Sequence, residues 1–430
     1  MSEQIRVRAH WRAFGGIFIL ALSLRLLYVL ANYTPGLGAF EWGDYPSYAI
    51  PARHFMQAGD FQNSLFLVRP PGFPLLLALL GDQTLTVLLV NCALGALTAA
   101  LTALLYLAAI GKPGGALLAG ALVALDPASV VYSAFLGAEP LANLSLTAAI
   151  LCFWLALKRA DRLRASALWL SLAGLALSLS MLTRPAAYLL WLPLSALFGV
   201  YTWRAKRAWL GLALFVLISG GTFWAWNAHN EQVFGHRTFS TVGPYTMLYH
   251  RAASIEHLAT GVAPDEVFIR LNERVEARLG RTLPEGIDIE SARHTYLAAS
   301  PEVGAALTAV SLEVFLRYPH VYLATIPLGL ARMFGYTYPL KGLWRAPDVL
   351  WNIGLVVLTA LGLWQLWRQR QRLFVSLTLL IGMYFTVGVL LVKTSGSDTR
   401  ERSMLTMLMA CCAAYALSTW WTRRQRSQSG

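Results

Sequence analysis

Long apolar runs constrain this chain more than any other feature. They fall near 12–32, 84–110, 114–131, 140–157, 166–183, 186–202, 208–227, 349–367, 373–392 and 403–421. Each approaches the length that a helix needs to cross a ~30 Å hydrocarbon core. Backbone in hydrocarbon must satisfy its own polar groups, so such runs fold as helices. Composition agrees: 57% of residues are hydrophobic and only 13% charged, where a soluble domain carries roughly 25% charged residues. The chain reads as an all-α polytopic membrane protein. The net charge of +13 does not imply nucleic acid, because the basic residues sit between the apolar runs.

Those basic residues orient the chain. They cluster at 6–12, 158–164, 204–207, 368–372 and 423–426, and such clusters favour the cytoplasmic side. With all of them inside, the runs alternate correctly up to 227 and again from 349 onward. The halves agree only if both ends of 320–337, which holds Pro327 and Arg332, lie outside. A re-entrant or interfacial helix is expected there; a miscounted crossing near 110–140 is the alternative. Ten crossings result. The basic N-terminal segment leads into an apolar run with no small-residue cleavage site, so an uncleaved first helix is expected.

This topology sends Asp44, Asp60, Arg69, Glu139, Arg184, Lys341, Arg345, Lys393, Arg400 and Arg402 to the outer face, with the one long polar loop, 228–318. That loop carries 11 of the 22 acidic residues and amphipathic patterns such as PDEVFIRLNERVEARLG. It reads as a small helical cap. The organisation expected is an N-terminal transmembrane module at 1–227 with a catalytic outer loop at 33–73, a helical periplasmic region at 228–318, and a C-terminal transmembrane module at 319–430. No internal repeat is visible, which weakens an inverted-repeat transporter. Cys92, Cys152, Cys411 and Cys412 lie inside apolar runs without metal spacing and read as small buried residues.

Several charged residues sit where packing alone explains them poorly. Asp44, in GDYPSYA, precedes a short amphipathic surface helix. It is a candidate N-cap and equally a carboxylate near the interface, able to abstract a proton. In the same stretch Asp60 ends the helix and Glu41 faces water. Arg69 opens RPPGFP, where two prolines hold the backbone for a guanidinium that can clamp phosphate through two hydrogen bonds. Snorkelling is the simpler alternative. Glu139, before Pro140, fits a helix start, yet a carboxylate flanked by apolar residues at the membrane edge is a functional candidate. Asp126 before Pro127 reads as a cap. Arg184 lies beside Pro185 at the outer end of a helix. Arg25 lies inside the first span, where an arginine needs a partner. In KTSGSDTRERS, Arg402 is nearest the apolar run and is expected to point inward, beside Arg400, Asp398 and Glu401. In the cap, Tyr245, Tyr249, His250, Glu256 and His257 read first as loop residues. No HExxH, Walker loop, GxGxxG or GxSxG is present, so nucleotide-driven chemistry has no support.

In this order the pieces resemble the GT-C superfamily of polytopic glycosyltransferases. The similar branch is the bacterial one, related to dolichyl-phosphate-mannose protein mannosyltransferases and lipid A aminoarabinose transferases. The stretches that carry the resemblance are GDYPSYAIPARHFMQAGDF, LVRPPGFPLLLALL, YSAFLGAEPLANLSLTAAIL, MLTRPAAYLL, RYPHVYLATIPLGLARMF and TRERSMLTMLMACCAAYAL, spanning about 40 to 417. The chain departs from the family in three ways. Tyr45 follows Asp44 where an acidic pair is common, no proline follows the closing arginines, and the polar loop is small.

The resemblance implies a GT-C-like bundle of about 10–13 transmembrane helices with juxtamembrane helices on its outer face. It implies an inverting transfer from a polyprenyl-phosphate sugar to an acceptor hydroxyl on lipid, glycan or protein. The reaction would occur outside a bacterial cytoplasmic membrane, with the active site facing the periplasm or cell exterior. Asp44 would be the general base and Arg69 the phosphate clamp, supported by Arg184, Arg400 and Arg402. Glu139 would orient a substrate, and Tyr45, Tyr48, Tyr245 and Tyr249 would be substrate contacts. No cofactor and no metal are expected, although related oligosaccharide transferases use a divalent ion at comparable carboxylates. The rival reading is a transporter or flippase for a lipid-linked sugar, which would need functional polar groups at mid-bilayer and on both faces.

Overall fold

In a computed structural model all ten apolar runs are helical. The structure describes residues 3–33, 44–283, 300–337, 340, 342–392 and 399–428; Glu41, Lys341, Lys393 and Asp398 lie outside them. In chain order the helices are α1 (Glu3–Asn32), α2 (Tyr45–Ala58), α3 (Gly72–Leu79), α4 (Thr84–Ile110), α5 (Pro113–Leu125), α6 (Pro127–Ser133), α7 (Glu139–Leu157), α8 (Leu163–Thr183), α9 (Trp191–Thr202), α10 (Ala208–Phe234), α11 (Val242–Thr246), α12 (Ala253–Thr260), α13 (Pro264–Leu279), α14 (Pro301–Arg317), α15 (Pro319–Gly335), α16 (Arg345–Arg368), α17 (Arg372–Val392), α18 (Thr399–Arg402) and α19 (Thr406–Gln428). Among the described residues nine segments are long and apolar enough to cross a membrane, and no strand occurs.

The tenth run is α5 with α6, bent by 54°. Pro127 cannot donate to the turn before it, and Asp126 is extended there (φ −63°, ψ 117°). The Asp126 carboxylate caps α6, accepting from the Ser129 amide (3.0 Å) and hydroxyl (2.7 Å). The bent pair still crosses the bundle. At one end, Trp154 Nε1 donates to the Ala108 carbonyl (3.1 Å) and Lys112 lies over the Tyr415 ring. At the other, Asn91 holds the Phe135 and Gly137 carbonyls just before α7. α5 and α6 therefore carry the chain from the first end to the second.

The stretches 1–227 and 319–430 share one apolar core. Phe153, Leu177 and Phe215 join the same cluster as Phe374, Met404 and Tyr415. α19 runs through its centre with Cys411, Cys412, Ala413 and Ala414 fully buried. Small residues let backbones approach closely within a membrane. At Gly362 of α16 an added Cβ would lie 1.9 Å from the Cys412 carbonyl oxygen. All four cysteines are free, with Cys152 partly exposed.

Residues 242–283 and 300–318 build a second core from Tyr249, Ile255, Leu271, Val275, Leu307 and Val310, as the amphipathic patterning of the loop predicts. α15, the doubtful segment, contributes Val321 and Tyr322 to this cap. Its far end meets α18, where the Thr399 amide donates to the Tyr336 carbonyl (3.2 Å). Both ends of α15 thus belong to the same end of the bundle.

Arg25 is fully buried within α1. Its guanidinium donates to Ser133 Oγ (3.1 Å) and to the carbonyls of Ala21, Val123 and Ala124. Its partners are chiefly backbone oxygens freed by the break between α5 and α6. An added Cβ at Gly95 would lie 2.6 Å from Arg25 Nε, so the glycine makes room for the guanidinium.

Candidate active site

The end of the bundle that bears the cap gathers the charged candidate site residues. Asp44 stands just before α2, whose first turn holds Pro46. It stands at the N-cap position of α2, and its side chain makes no capping hydrogen bond there. The Ser47 hydroxyl bonds the Asp44 carbonyl instead (2.6 Å). The carboxylate lies between two guanidiniums, with Oδ1 2.5 Å from Arg69 Nη2 and Oδ2 2.8 Å from Arg400 Nη1.

Arg69 is anchored independently of Asp44. Its amide donates to the Leu65 carbonyl (2.8 Å), and Pro70 and Pro71 follow. Its Nε donates to Ser47 Oγ (2.9 Å), and the guanidinium lies 4.7 Å over the Tyr48 ring, which meets Phe73 edge-on. Burial pulls the Arg69 guanidinium down, and Asp44, Tyr48 and Glu139 together more than restore it, so it remains a cation. Ser240 and Thr241 bond the Val68 and Leu67 carbonyls, tying the Arg69 turn to the root of the cap. An added Cβ at Gly72 would lie 2.8 Å from the Leu182 backbone. The glycine thus lets this turn press against the end of α8.

Arg184 leaves that end in an extended conformation before Pro185. Its Nη1 reaches Glu139 Oε1 (3.1 Å) and its Nη2 reaches Glu401 Oε2 (3.1 Å). Glu139 opens α7, and its Oε1 also accepts from Arg400 Nε (2.5 Å). Gly137 leaves space for it, since a Cβ there would lie 2.4 Å from Glu139 Oε2. Six groups form one ladder of alternating charge: Arg69, Asp44, Arg400, Glu139, Arg184, Glu401. Glu139 is buried, and Asp44 is the most open rung, with its side chain 34% exposed.

The remaining candidates divide. Tyr48 lines the ladder beneath Arg69. Tyr245 is close enough to Asp44 and Arg69 for their charges to act on it; burial, with Asp44 second, raises its phenol to about 12. Tyr249 lies tilted against Tyr245 at 5.0 Å but sends its hydroxyl to Asn272 in the cap (2.6 Å). Tyr45 donates to Asp82 (2.7 Å), which also binds Arg53. Arg402 points inward as expected, but into the core. It is fully buried against Asp126 (2.8 Å), which also accepts from Trp351 Nε1 (3.0 Å). Asp60 accepts from the Gln62 amide and bonds His54 after the helix ends. Sequence reasoning missed Ser47, whose signal is its place one turn after Asp44, and left Glu401 without a role.

The donor set fits arginine better than a divalent ion. Both Asp44 oxygens and Glu139 Oε1 face guanidiniums, and a cation there would meet three positive charges. Among the described residues no cluster of three His, Cys, Asp or Glu side chains could hold a metal.

The all-helical membrane bundle, with the ladder at the end that bears the helical cap, is GT-C-like in fold, as its likeness to solved structures shows. Residues 78–229 match the family model of dolichyl-phosphate-mannose-protein mannosyltransferases. That segment holds Glu139 and Arg184 but not Asp44, Arg69 or Arg400. The oligosaccharyltransferase AglB from Archaeoglobus fulgidus, in complex with an inhibitory peptide and a dolichol-phosphate, superposes over 99% of this chain and 52% of its own, with TM-score 0.60 and 12% identity. Its apo form gives TM-score 0.56 at 13% identity, over 98% of this chain and 51% of its own. ArnT from Cupriavidus metallidurans, bound to undecaprenyl phosphate, aligns over 96% of this chain and 78% of its own with 12% identity, but its TM-score of 0.39 is too low to carry weight. The chain spans about half the length of the oligosaccharyltransferase. No curated protein matches it in sequence. Likeness at this identity establishes fold, while function belongs to the site.

Proposed function

We propose that the protein is an inverting glycosyltransferase that moves a sugar from a polyprenyl-phosphate donor to an acceptor hydroxyl. The observation that carries this reading is the ladder: a half-exposed carboxylate between two anchored guanidiniums, at one end of a membrane bundle. The acceptor O–H gives its proton to Asp44 as its oxygen bonds the anomeric carbon. The bond from that carbon to the phosphate oxygen breaks, and its electron pair leaves with the lipid phosphate. Arg69 stabilises the departing charge from a fixed position, with Arg400 beside it. Glu139 and Arg184 hold Arg400 in place, and Tyr48 and Tyr245 supply hydroxyls for the sugar. A single displacement inverts the anomeric centre without a covalent intermediate. A lipid phosphate leaves readily under arginine, so no metal enters the scheme. The matched family and the archaeal neighbour, whose names carry dolichol phosphates, support a donor of this class.

The reading places the site outside a bacterial cytoplasmic membrane, as the basic clusters of the opposite end favour. Lipid, glycan and protein hydroxyls remain open as acceptors. A transporter of lipid-linked sugar would need polar groups available at mid-bilayer. The buried Arg25 is instead consumed by carbonyls and Ser133, which favours the enzyme. The test is mass spectrometry of envelope glycans and lipids from a deletion strain, complemented by wild type or Asp44→Asn. Wild type should restore a missing sugar, and the variant, present at equal level in the membrane, should not. Restoration by Asp44→Asn would remove the base assignment.

A further inference from the structure

The end of the bundle opposite the cap holds a second concentration of charge, which the ladder does not use. A cavity of about 540 Å³ opens at the turn between α7 and α8, a usual size for a small-ligand pocket. Ala108 and Leu155 form its apolar part, and Lys158, Arg159 and Arg162 line it beside one acid, Asp161. Three cations against one carboxylate leave the cavity positive. Among the described residues none of the three cations forms an ion pair.

Topology alone explains basic residues at this end, but it requires neither a cavity nor fixed side chains. Here the cations are held. Trp154 is pinned by its Nε1, which donates to the Ala108 carbonyl (3.1 Å), and Lys158 Nζ lies 5.0 Å over its ring. Arg159 lies 5.8 Å over Trp169 of α8, and its Nη1 donates to the Leu155 carbonyl (3.4 Å). A cation over an aromatic face is positioned without being neutralised. Arg162 directly precedes α8 and makes no side-chain cap, so the positive end of that helix dipole adds to the cavity.

Depth points to the ligand. Glu139 opens α7 and Lys158 follows its last residue, so the cavity lies about 28 Å along the helix from the ladder at 1.5 Å per residue. A hydrocarbon core is ~30 Å thick. With the ladder at one boundary, the cavity stands at the other, level with the phosphates of that leaflet. Tryptophans favour this level. Trp203, Trp364 and Trp367 are each more than half exposed, with Arg204, Arg368 and Arg372 over their rings. Trp154 meets Phe374 edge-on at the start of α17, which puts the cavity at the same end as the last two pairs. Leu163, beside Arg162, is exposed and offers apolar surface that a free anion would not use.

We propose that this cavity binds the phosphate headgroup of an anionic membrane lipid in the leaflet opposite the ladder. Arg159 and Arg162 take phosphate oxygens through paired N–H donors, and Lys158 adds a point charge. The acyl chains lie along Leu155 and Leu163. Basic pockets between transmembrane helices suit such headgroups. The site is independent of the chemistry proposed at the ladder. Its occupant joins the ends of α4, α7 and α8, and α7 and α8 carry Glu139 and Arg184 at or beside their far ends. A lipid bound only by the folded protein stabilises that arrangement.

The test is native mass spectrometry of the full chain in neutral micelles, titrated with dioleoylphosphatidylglycerol or dioleoylphosphatidylcholine. Wild type should bind the anionic lipid at least about tenfold more tightly. Arg159→Gln with Arg162→Gln should weaken that binding about thirtyfold, from roughly 1 kcal/mol per basic residue near the surface. Arg164→Gln with Arg207→Gln removes the same charge from the same end outside the cavity, and should change it less than about threefold. Equal loss in both pairs would reduce the effect to general surface charge and overturn the proposal, as would equal affinity of wild type for the two lipids. Should the cavity pair fail to fold, Lys158→Gln at the exposed turn should weaken binding about fivefold, and unchanged affinity there would also overturn it. Inorganic phosphate at the lipid's own concentration should leave the lipid in place; displacement would mark a free-anion site and sink the lipid assignment.

Discussion

Arg402 and Asp126 give the sharpest quantitative prediction. Both side chains are fully buried, 2.8 Å apart, and Trp351 and Ser129 occupy the remaining oxygen positions of the carboxylate. Removing one partner of a buried ion pair leaves an uncompensated charge and costs about 3–5 kcal/mol, whereas apolar replacement of both is often nearly neutral. Arg402→Met and Asp126→Leu should each destabilise by that amount. The double variant should recover most of it, less about 1–3 kcal/mol for the Trp351 N–H left without an acceptor. The assay is an unfolding equilibrium in mixed micelles titrated with denaturing detergent, analysed as a double-mutant cycle. Donor affinity, measured on the folded fraction, should stay within about threefold of wild type, since an arginine closed off from solvent reaches no substrate; that margin is under 1 kcal/mol. A coupling energy below about 1 kcal/mol, or a tenfold loss of donor affinity in Arg402→Met, would refute the assignment of Arg402 to the core.

Other rungs and contacts give further expectations. Glu139→Gln should lower stability by about 3 kcal/mol, the lower end for a broken buried pair, because Arg184 and Arg400 keep Glu401 and Asp44. An unchanged detergent midpoint would contradict the ladder. Arg69→Lys keeps the charge but loses the planar fork stacked on Tyr48. Donor affinity should fall about tenfold, or 1.4 kcal/mol, and equal dissociation constants by calorimetry would count against a geometric role. Gly362→Ala forces a Cβ onto the Cys412 carbonyl and should cost about 1–3 kcal/mol as overpacking, read as a lowered midpoint with donor affinity retained.

Much of the architecture was legible because hydrocarbon leaves a chain few options. Every predicted apolar run is a helix, and the amphipathic loop folds into its own small core. The Pro127 break was legible as a cap at Asp126, but its geometric use was not. A bend of 54° exposes backbone oxygens, and Arg25 takes them up from a helix about a hundred residues earlier. Among the site residues, Asp44, Arg69, Glu139 and Arg184 carried local signs: a proline beside or near each, and a charge at a helix end. Ser47 and Glu401 carried none that outweighs a solvated residue. Tyr45 and Tyr48 sit on the same short helix, yet Tyr45 bonds Asp82 and Tyr48 stacks under Arg69.

Sequence alone determined that the chain crosses a membrane about ten times and that its candidate site residues collect at the end opposite the basic clusters. Run length against bilayer thickness, and the position of basic residues between runs, require no tertiary information. Which charge meets which is a different matter. Arg400 and Arg402 stand two residues apart on a single helical turn, about 200° apart around its axis. One rotation of α18 sends Arg400 to Asp44 and Glu139 and buries Arg402 against Asp126; the opposite rotation would exchange them. Four residues carry too little periodicity to choose between the two. The choice was made by partners far away in the chain, Glu139 at one side of the turn and Asp126 at the other.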